Sequence, residues 1–334
     1  MIHRQKDDYS HFNPCGARSI SFFQPYYPSA GIFPGPAMRM TVPFRLCRHN
    51  LIQYRMNGVE AMSDTPNEQS RRARIDVLIP AVEKDLNTLP FVIDAVKKQV
   101  KHPIGHIWIV APKQRKLIEF CRRKKCKFVD ENTVLPITKK DIRYRSDKWD
   151  RSGWLFQQLL KMSGDTLCTT KNFLVIDADT VLIRPHMFTS GKKTLFYCRN
   201  WSRPEYFRTY RKLLEERPAS PVSLVAHYML FNKSKLAQLK RTIESKHRTK
   251  WYLAILKKMD KSKPYAFSEY ETYGNFFYSR HPDRVIFKKA LNKSLKGNVE
   301  QIATKRMRAL AKTYRSLSFH KRRCYVRTKR GISR

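Results

Sequence analysis

An open α/β sheet, mostly parallel and flanked by helices, is the fold class this sequence predicts, and three observations predict it. Strand-like and helix-like segments alternate regularly from Ile75 to Val129. The strand-like segments are short, continuous apolar runs, as strands buried on both faces are. The intervening segments are long enough for a helix, which is the spacing of right-handed parallel crossovers.

Ile75-Asp76-Val77-Leu78-Ile79-Pro80 reads as the first strand. Leu86 to Val100 follows, with Leu89, Val92, Ile93, Val96 and Val100 at helical spacing. A second strand covers His106 to Val110, a basic helix Lys113 to Lys125, and a third strand Lys127-Phe128-Val129, which ends in Asp130-Glu131-Asn132. A charged loop from Lys139 to Asp150 leads into a helix over Gly153 to Met162, and Phe173 to Ile176 forms the next strand. Farther on, Thr194 to Cys198 and Leu224 to Phe231 read as strands. Lys233 to Lys246, Lys250 to Lys258 and Ser268 to Ser279 read as helices. The tail from Lys293 onward is strongly basic, with Glu300 its only acid.

Residues 1 to about 72 differ from the rest. Prolines, glycines and isolated aromatics are scattered there without period, which predicts a disordered leader or an upstream extension of the reading frame. A single domain over 73–321 is therefore expected. Its nucleotide-binding half would span about 73–192 and its acceptor half about 193–290, with a basic tail over 322–334.

The formal charge of +41 on 334 residues is extreme. Nucleic acid, anionic lipid, an anionic wall polymer and a phosphorylated small substrate all suit it, and charge alone does not choose. Against nucleic acid, the cations do not gather into a recognised reader motif, and no aromatic-rich strand of the RNA-recognition type is present. The seven cysteines are irregularly spaced and form no Cys-x-x-Cys pair. That pattern argues for reduced thiols and a cytoplasmic setting, with peripheral attachment to the inner membrane face as an extension of it. Neither a cleavable signal nor a membrane-spanning segment is legible near Met1.

No Gly-x-Gly-x-x-Gly follows the first strand, and no Gly-x-x-x-x-Gly-Lys-Ser/Thr occurs anywhere. Dinucleotide oxidoreductases and P-loop nucleotidases are thereby poor fits. The informative segment is Phe173-Leu174-Val175-Ile176-Asp177-Ala178-Asp179. A buried strand ends in two carboxylates that, in extended backbone, would point the same way. At the carboxyl edge of a parallel sheet such a pair suits a hard divalent cation that also holds substrate phosphates. A solvated turn is the competing reading.

The strand ending in Asp177-Ala178-Asp179, placed mid-chain after two or three βα units, resembles the glycosyltransferase A fold, with a distant similarity to family 8 enzymes. The stretches Arg74 to Pro80, Ser152 to Lys161, His227 to Phe231 and Ser268 to Gly274 look like a bacterial family of uncharacterised glycosyltransferase-like proteins. The resemblance covers about Arg74 to Lys321. It implies transfer of a sugar from a nucleotide-diphospho-sugar to an acceptor that is unknown and, given the charge, anionic. It implies no particular donor, acceptor or stereochemical outcome.

Within that resemblance the metal ligands would be Asp177, Asp179 and, from the C-terminal side, His320. Imidazole suits Mn²⁺ better than Mg²⁺. Asp76 and Pro80 on the first strand, Trp154 and Gln157 on the helix before the metal strand, Asp177, and Lys321 in the tail are the nucleotide-side candidates. Glu269 and Glu271 stand at a helix start, where a catalytic carboxylate would deprotonate the acceptor and where the helix dipole alone would also favour acids. Two residues apart on a helix, only one of them is expected to face the site. His227 is a candidate donor to acceptor or phosphate, and Trp201 a stacking surface for a sugar. A nucleic-acid- or polyanion-binding protein, and a scaffold that kept the fold without activity, are the alternative functions.

Overall fold

The structure is a computed structural model and describes residues 73–200 and 202–320. The expected leader over 1–72, the tail over 322–334, Trp201 and Lys321 lie outside the described residues.

The predicted βαβ series is present. β1 (Ile75–Pro80), α1 (Leu89–Gln99), β2 (Ile104–Ala111), α2 (Arg115–Arg123) and β3 (Lys127–Asp130) follow in order. After the charged loop come α3 (Ser152–Lys161), the single turn α4 (Gly164–Leu167) and β4 (Asn172–Ile176). β8 (Tyr228–Asn232) completes a five-stranded sheet in the order β3-β2-β1-β4-β8. The first four strands are parallel, and β8 runs antiparallel to β4, Ile176 opposite Tyr228.

Every residue of β1 is buried, because both sheet faces are covered. Leu78, Val110, Phe173 and Val175 belong to one core, and Val77, Ile79, Ile109 and Leu174 to the other. The period-2 alternation of strands sorts them. The first core is roofed by α3 together with α5 (Pro204–Leu214), α6 (Lys233–His247), α7 (Trp251–Lys258) and α8 (Glu269–Arg280), and α1 and α2 cover the second.

Asp76 is a polar residue inside this apolar strand. It is fully buried, and its carboxylate accepts from His106 N–H (2.8 Å), Trp108 Nε1–H (3.2 Å), Thr169 N–H (2.7 Å), Thr169 Oγ1–H (2.9 Å) and Thr170 N–H (3.3 Å). Burial pushes its carboxyl up, but those donors outweigh burial and leave it below the ordinary range. Gly105 leaves the space: a Cβ there would meet Asp76 Oδ1 at 2.3 Å. Asp76 sits opposite Phe173, four positions before Asp177 on the neighbouring strand, so it ties strand starts together. The expectation that it binds a nucleotide gives way to this structural role.

Up to His320, the basic C-terminal segment carries regular structure. It holds β10 (Asn292–Ser294), α9 (Thr304–Thr313) and β11 (Ser316–Ser318). β10 and β11 are parallel, and β11 pairs antiparallel with β5 (Thr180–Leu182), directly after the Asp-x-Asp. A second small sheet joins β6 (Thr189–Ser190), β7 (Lys193–Cys198) and β9 (Val285–Lys289). Cys121, Cys126, Cys168 and Cys198 are free thiols. Among the described residues no helix is long and apolar enough to cross a membrane.

Candidate active site

Asp177 leaves the sheet where β4 ends. Its N–H donates to the His227 carbonyl (3.0 Å), which extends the β4–β8 ladder by one residue. Thr180 N–H then donates to the Asp177 carbonyl (3.1 Å). Asp177 to Thr180 is therefore a turn rather than the extended segment expected from the sequence. The turn still keeps the two carboxylates on one site, because each is caught by a histidine from a different element. His227 Nδ1 lies 3.0 Å from Asp177 Oδ2, and His320 Nδ1 lies 2.9 Å from Asp179 Oδ2. The two imidazole centroids are 5.0 Å apart.

Backbone pairing delivers both histidines. Ser318 is opposite Thr180 in the β11–β5 pair, and Phe319 N–H donates to the Asp179 carbonyl (2.9 Å), so His320 is fixed beside Asp179. His227 precedes β8 with φ +68°. A left-handed backbone costs a non-glycine residue roughly 1–2 kcal/mol, and such strain gathers at functional sites. Burial lowers the His227 pKa although Asp177 pulls it upward, so the ring is neutral at physiological pH.

Lys161, the last residue of α3, completes the cluster and was not legible as a site residue. Its side chain is 9% exposed, and Nζ lies 2.5 Å from Asp177 Oδ1 and 2.7 Å from Glu269 Oε1. Tyr270 O–H also donates to Asp177 Oδ1 (3.2 Å). Burial alone would lower the Lys161 pKa, but the two carboxylates reverse that and hold it well above its ordinary value. The same cation and His227 outweigh the burial of Asp177 and hold that carboxyl well below the usual range. One signal was present in the sequence. Gln157, Gln158 and Lys161 stand at i, i+1 and i+4, polar residues on an otherwise largely apolar helix.

Of the two helix-start glutamates, Glu269 joins the cluster and Glu271 does not. Glu269 is buried against Lys161, with its pKa raised by burial. Glu271 is fully buried elsewhere. It accepts from Ser223 Oγ (2.5 Å) and Asn275 Nδ2 (3.3 Å), and burial pushes its pKa up to about 6. Neither glutamate opens onto solvent.

A cleft of about 690 Å³ opens beside the start of α3, the helix that ends in Lys161. Trp154 and Gln157 line it from the first turns of α3, four or more residues before Lys161 on the same helix. Val82 and Lys84 line it from the loop after β1, and Glu131 from the end of β3. Lys139, Lys140, Arg143 and Arg145 make its rim strongly cationic. Asp85, in that same post-β1 loop, is pushed up to about 6 by burial, with Asp179 and Asp177 adding repulsion. The loop that lines the cleft with Val82 and Lys84 thus also feels the charge of the carboxylate pair. Pro80 itself is buried in the sheet, paired with Val110, and does not line the cleft.

Comparison with known proteins places the chain in a family. A model described as a family of unknown function, DUF6492, matches residues 74–309. The chain belongs to that family. No curated protein matches the sequence. Among solved structures it is similar to mouse xyloside xylosyltransferase 1 in the apo form, with 12% identity over 75% of this chain and 98% of that one and a TM-score of 0.41. It is also similar to a galactosyltransferase crystallised with donor and acceptor sugar analogues, with 10% identity over 73% and 87% of the two chains and a TM-score of 0.40. A third likeness is to glucosyl-3-phosphoglycerate synthase from Mycobacterium tuberculosis, solved with Mn²⁺, uridine diphosphate and glucosyl-3-phosphoglycerate. There the identity is 13%, the coverage 68% and 74%, and the TM-score 0.35. At these scores the likeness describes an arrangement of strands and helices and says nothing of substrate.

The donor types at the carboxylate pair, carboxylate oxygen and imidazole nitrogen, are ones a divalent cation takes. An ionised carboxylate has about four acceptor positions, and among the described residues Asp177 uses three, for Lys161, Tyr270 and His227. Asp179 and His320 add hard oxygen and imidazole nitrogen a hydrogen bond apart. Among the described residues, no group of three or more His, Cys, Asp or Glu side chains is placed so that it could hold a metal ion.

Proposed function

We propose that this DUF6492 protein is a metal-dependent glycosyltransferase that moves a sugar from a nucleotide-diphospho-sugar to a hydroxyl of an anionic acceptor. The observation that carries this reading is the position of Asp177, Asp179 and His320 at the carboxyl edge of a parallel sheet, in a domain whose loops after β1 and β3 line a cationic cleft. That edge is where open α/β sheets bind ligands. Two carboxylates, Asp177 and Glu269, share the single ammonium of Lys161, and Asp179 stands beside His320, so the carboxylates outnumber the lysine cation. A divalent ion is the natural complement.

In this reading Asp177, Asp179 and His320 hold the ion, Mn²⁺ in preference to Mg²⁺ because of the imidazole. The ion would supply charge neutralisation for the departing diphosphate. The cations of the cleft take the nucleotide's phosphates, and Trp154 offers a half-buried aromatic face to its base. Lys161 sets the position and ionisation of Asp177. Glu269, too enclosed to meet an acceptor directly, acts as a positioning residue that holds Lys161 in place. His227, neutral and locked by its backbone, fixes the other Asp177 oxygen.

Thermal melting with a panel of nucleotide-sugars, with Mn²⁺ and with chelator, tests the reading. At least one donor should raise the melting temperature only when Mn²⁺ is present, and the Asp177→Asn/Asp179→Asn double variant should lose that rise while still folding. Equal stabilisation of wild type and variant by the donor would remove the pair from the site.

A further inference from the structure

Inside this cationic cleft lies one buried acid. Glu131, the first residue after β3, has a side chain 5% exposed, and its one hydrogen-bonded cation among the described residues is Lys139, at 3.3 Å. Asp150, the other acid of the lining, is exposed. Lys139 does not require Glu131, because its own side chain is 48% exposed and water solvates it. Burying a carboxylate behind one half-exposed partner is costly, and burial pushes the Glu131 carboxyl upward. A ligand that brings N–H donors would offset that cost.

The sheet order says which part of a nucleotide would arrive there. Asp177 and Asp179 follow β4, and Glu131 follows β3, three positions away across the order β3-β2-β1-β4. At the usual spacing of adjacent strands this is about 14 Å, the scale that separates a diphosphate from the far edge of its base in an extended nucleotide. The cations of Lys84, Arg143 and Arg145 and the aromatic face of Trp154 line the same cleft.

We propose that Glu131 reads the nucleobase of the donor, and that the base is guanine. This deepens the nucleotide-sugar reading and rests on it. A carboxylate presents two acceptor oxygens side by side. Guanine answers with two adjacent donors, N1–H and the 2-amino group, in the same plane. Uracil offers one N–H between two carbonyls, so its second contact with the carboxylate is oxygen against oxygen. Adenine and cytosine each set an amino group next to a ring nitrogen acceptor, with the same conflict. A site built to receive donors rejects ligands that bring acceptors in their place, because its buried polar groups are then left opposed.

Calorimetric titration of the full chain, in Mn²⁺, with GDP, IDP, UDP, CDP and ADP tests the proposal. IDP keeps N1–H and lacks the 2-amino group, so the wild type alone reports the second hydrogen bond. GDP is expected to bind about tenfold more tightly than IDP, the scale of one hydrogen bond to a charged group, and more tightly still than UDP, CDP or ADP. In Glu131→Gln, whose melting curve shows whether it folds, the GDP advantage over IDP should collapse. UDP or another diphosphate binding best, GDP and IDP binding alike, or a GDP preference untouched in Glu131→Gln would each overturn the assignment of guanine and leave the glycosyltransferase reading standing. Failure of every nucleoside diphosphate to bind would overturn both.

Discussion

At the residue scale, the Asp177–Lys161–Glu269 chain is the feature most exposed to test. Removing one member of a buried ion pair leaves its partner uncompensated and costs about 3–5 kcal/mol. Lys161→Met should therefore destabilise the protein by an amount of that order in urea unfolding, because it strands two carboxylates near each other. A loss under about 1 kcal/mol, the range of exposed pairs, would show that the chain does not hold the cluster. His186 makes a separate pH prediction. It is fully buried, its Nε2 lies 3.0 Å from Tyr228 Oη, and burial pushes its pKa down to about 3. The unfolded chain binds a proton there below about pH 6.5 that the folded chain refuses. Stability should therefore fall as pH drops from about 6.5 toward 3, by up to about 1.4 kcal/mol per pH unit from this group. Its contribution is fully present above pH 6.5. In His186→Gln the acid-side slope of unfolding free energy against pH should flatten, whatever the variant's absolute stability. An unchanged slope would mean that other groups govern the acid limb.

At the scale of elements, tight packing fixes where β4 emerges. Gly164, in the turn between α3 and β4, leaves room for the Phe173 ring: a Cβ would stand 2.2 Å from Phe173 Cε2 and 3.0 Å from Leu78 Cδ2. Gly164→Ala should cost about 1–3 kcal/mol, the scale of overpacking, measurable as a lowered melting temperature. No change would show that the ring moves aside freely. The same elements show what the sequence could reveal. β1 to β3 and β4 were legible because buried parallel strands are uninterrupted apolar runs, and the Asp-x-Asp at the end of β4 was legible for the same reason. α5 was not, since Glu205, Arg208, Arg211 and Lys212 hide the periodic Tyr206, Tyr210, Leu213 and Leu214 that it buries. β10, α9 and β11 were masked by basic composition, although Leu317 and Phe319 are buried. Lys161 was not singled out because its two partners come from residues 16 and 108 positions away. Asp76 misled, since an acid inside an apolar strand looks functional until its donors are seen.

At the scale of the whole molecule, the charge of +41 exceeds what a single diphosphate needs. α9 presents Lys305, Arg306, Arg308 and Lys312 to solvent, and lies between β10 and β11, the parallel pair whose carboxyl ends lead to His320. A helix that crosses between parallel strands runs opposite to them, so the start of α9 falls on the edge that carries the site. We expect the acceptor to be anionic or presented on an anionic surface, such as the inner face of a membrane. Binding to anionic vesicles should weaken steeply with salt, as counterion release requires, and should strengthen when donor and Mn²⁺ are added. Binding of equal strength to vesicles and RNA, indifferent to donor, would leave the charge a general polyanion attraction. The central claim is that the Asp177–Asp179 cluster cleaves a nucleotide-sugar, and release of nucleoside diphosphate from a donor panel tests it most directly. Wild type with Mn²⁺ should release diphosphate from one donor class above the uncatalysed rate, and both chelation and Asp179→Asn should abolish that release. A wild type that binds Mn²⁺ and nucleotide yet cleaves no donor, with or without added acceptor, would contradict the account and leave a binding scaffold in its place.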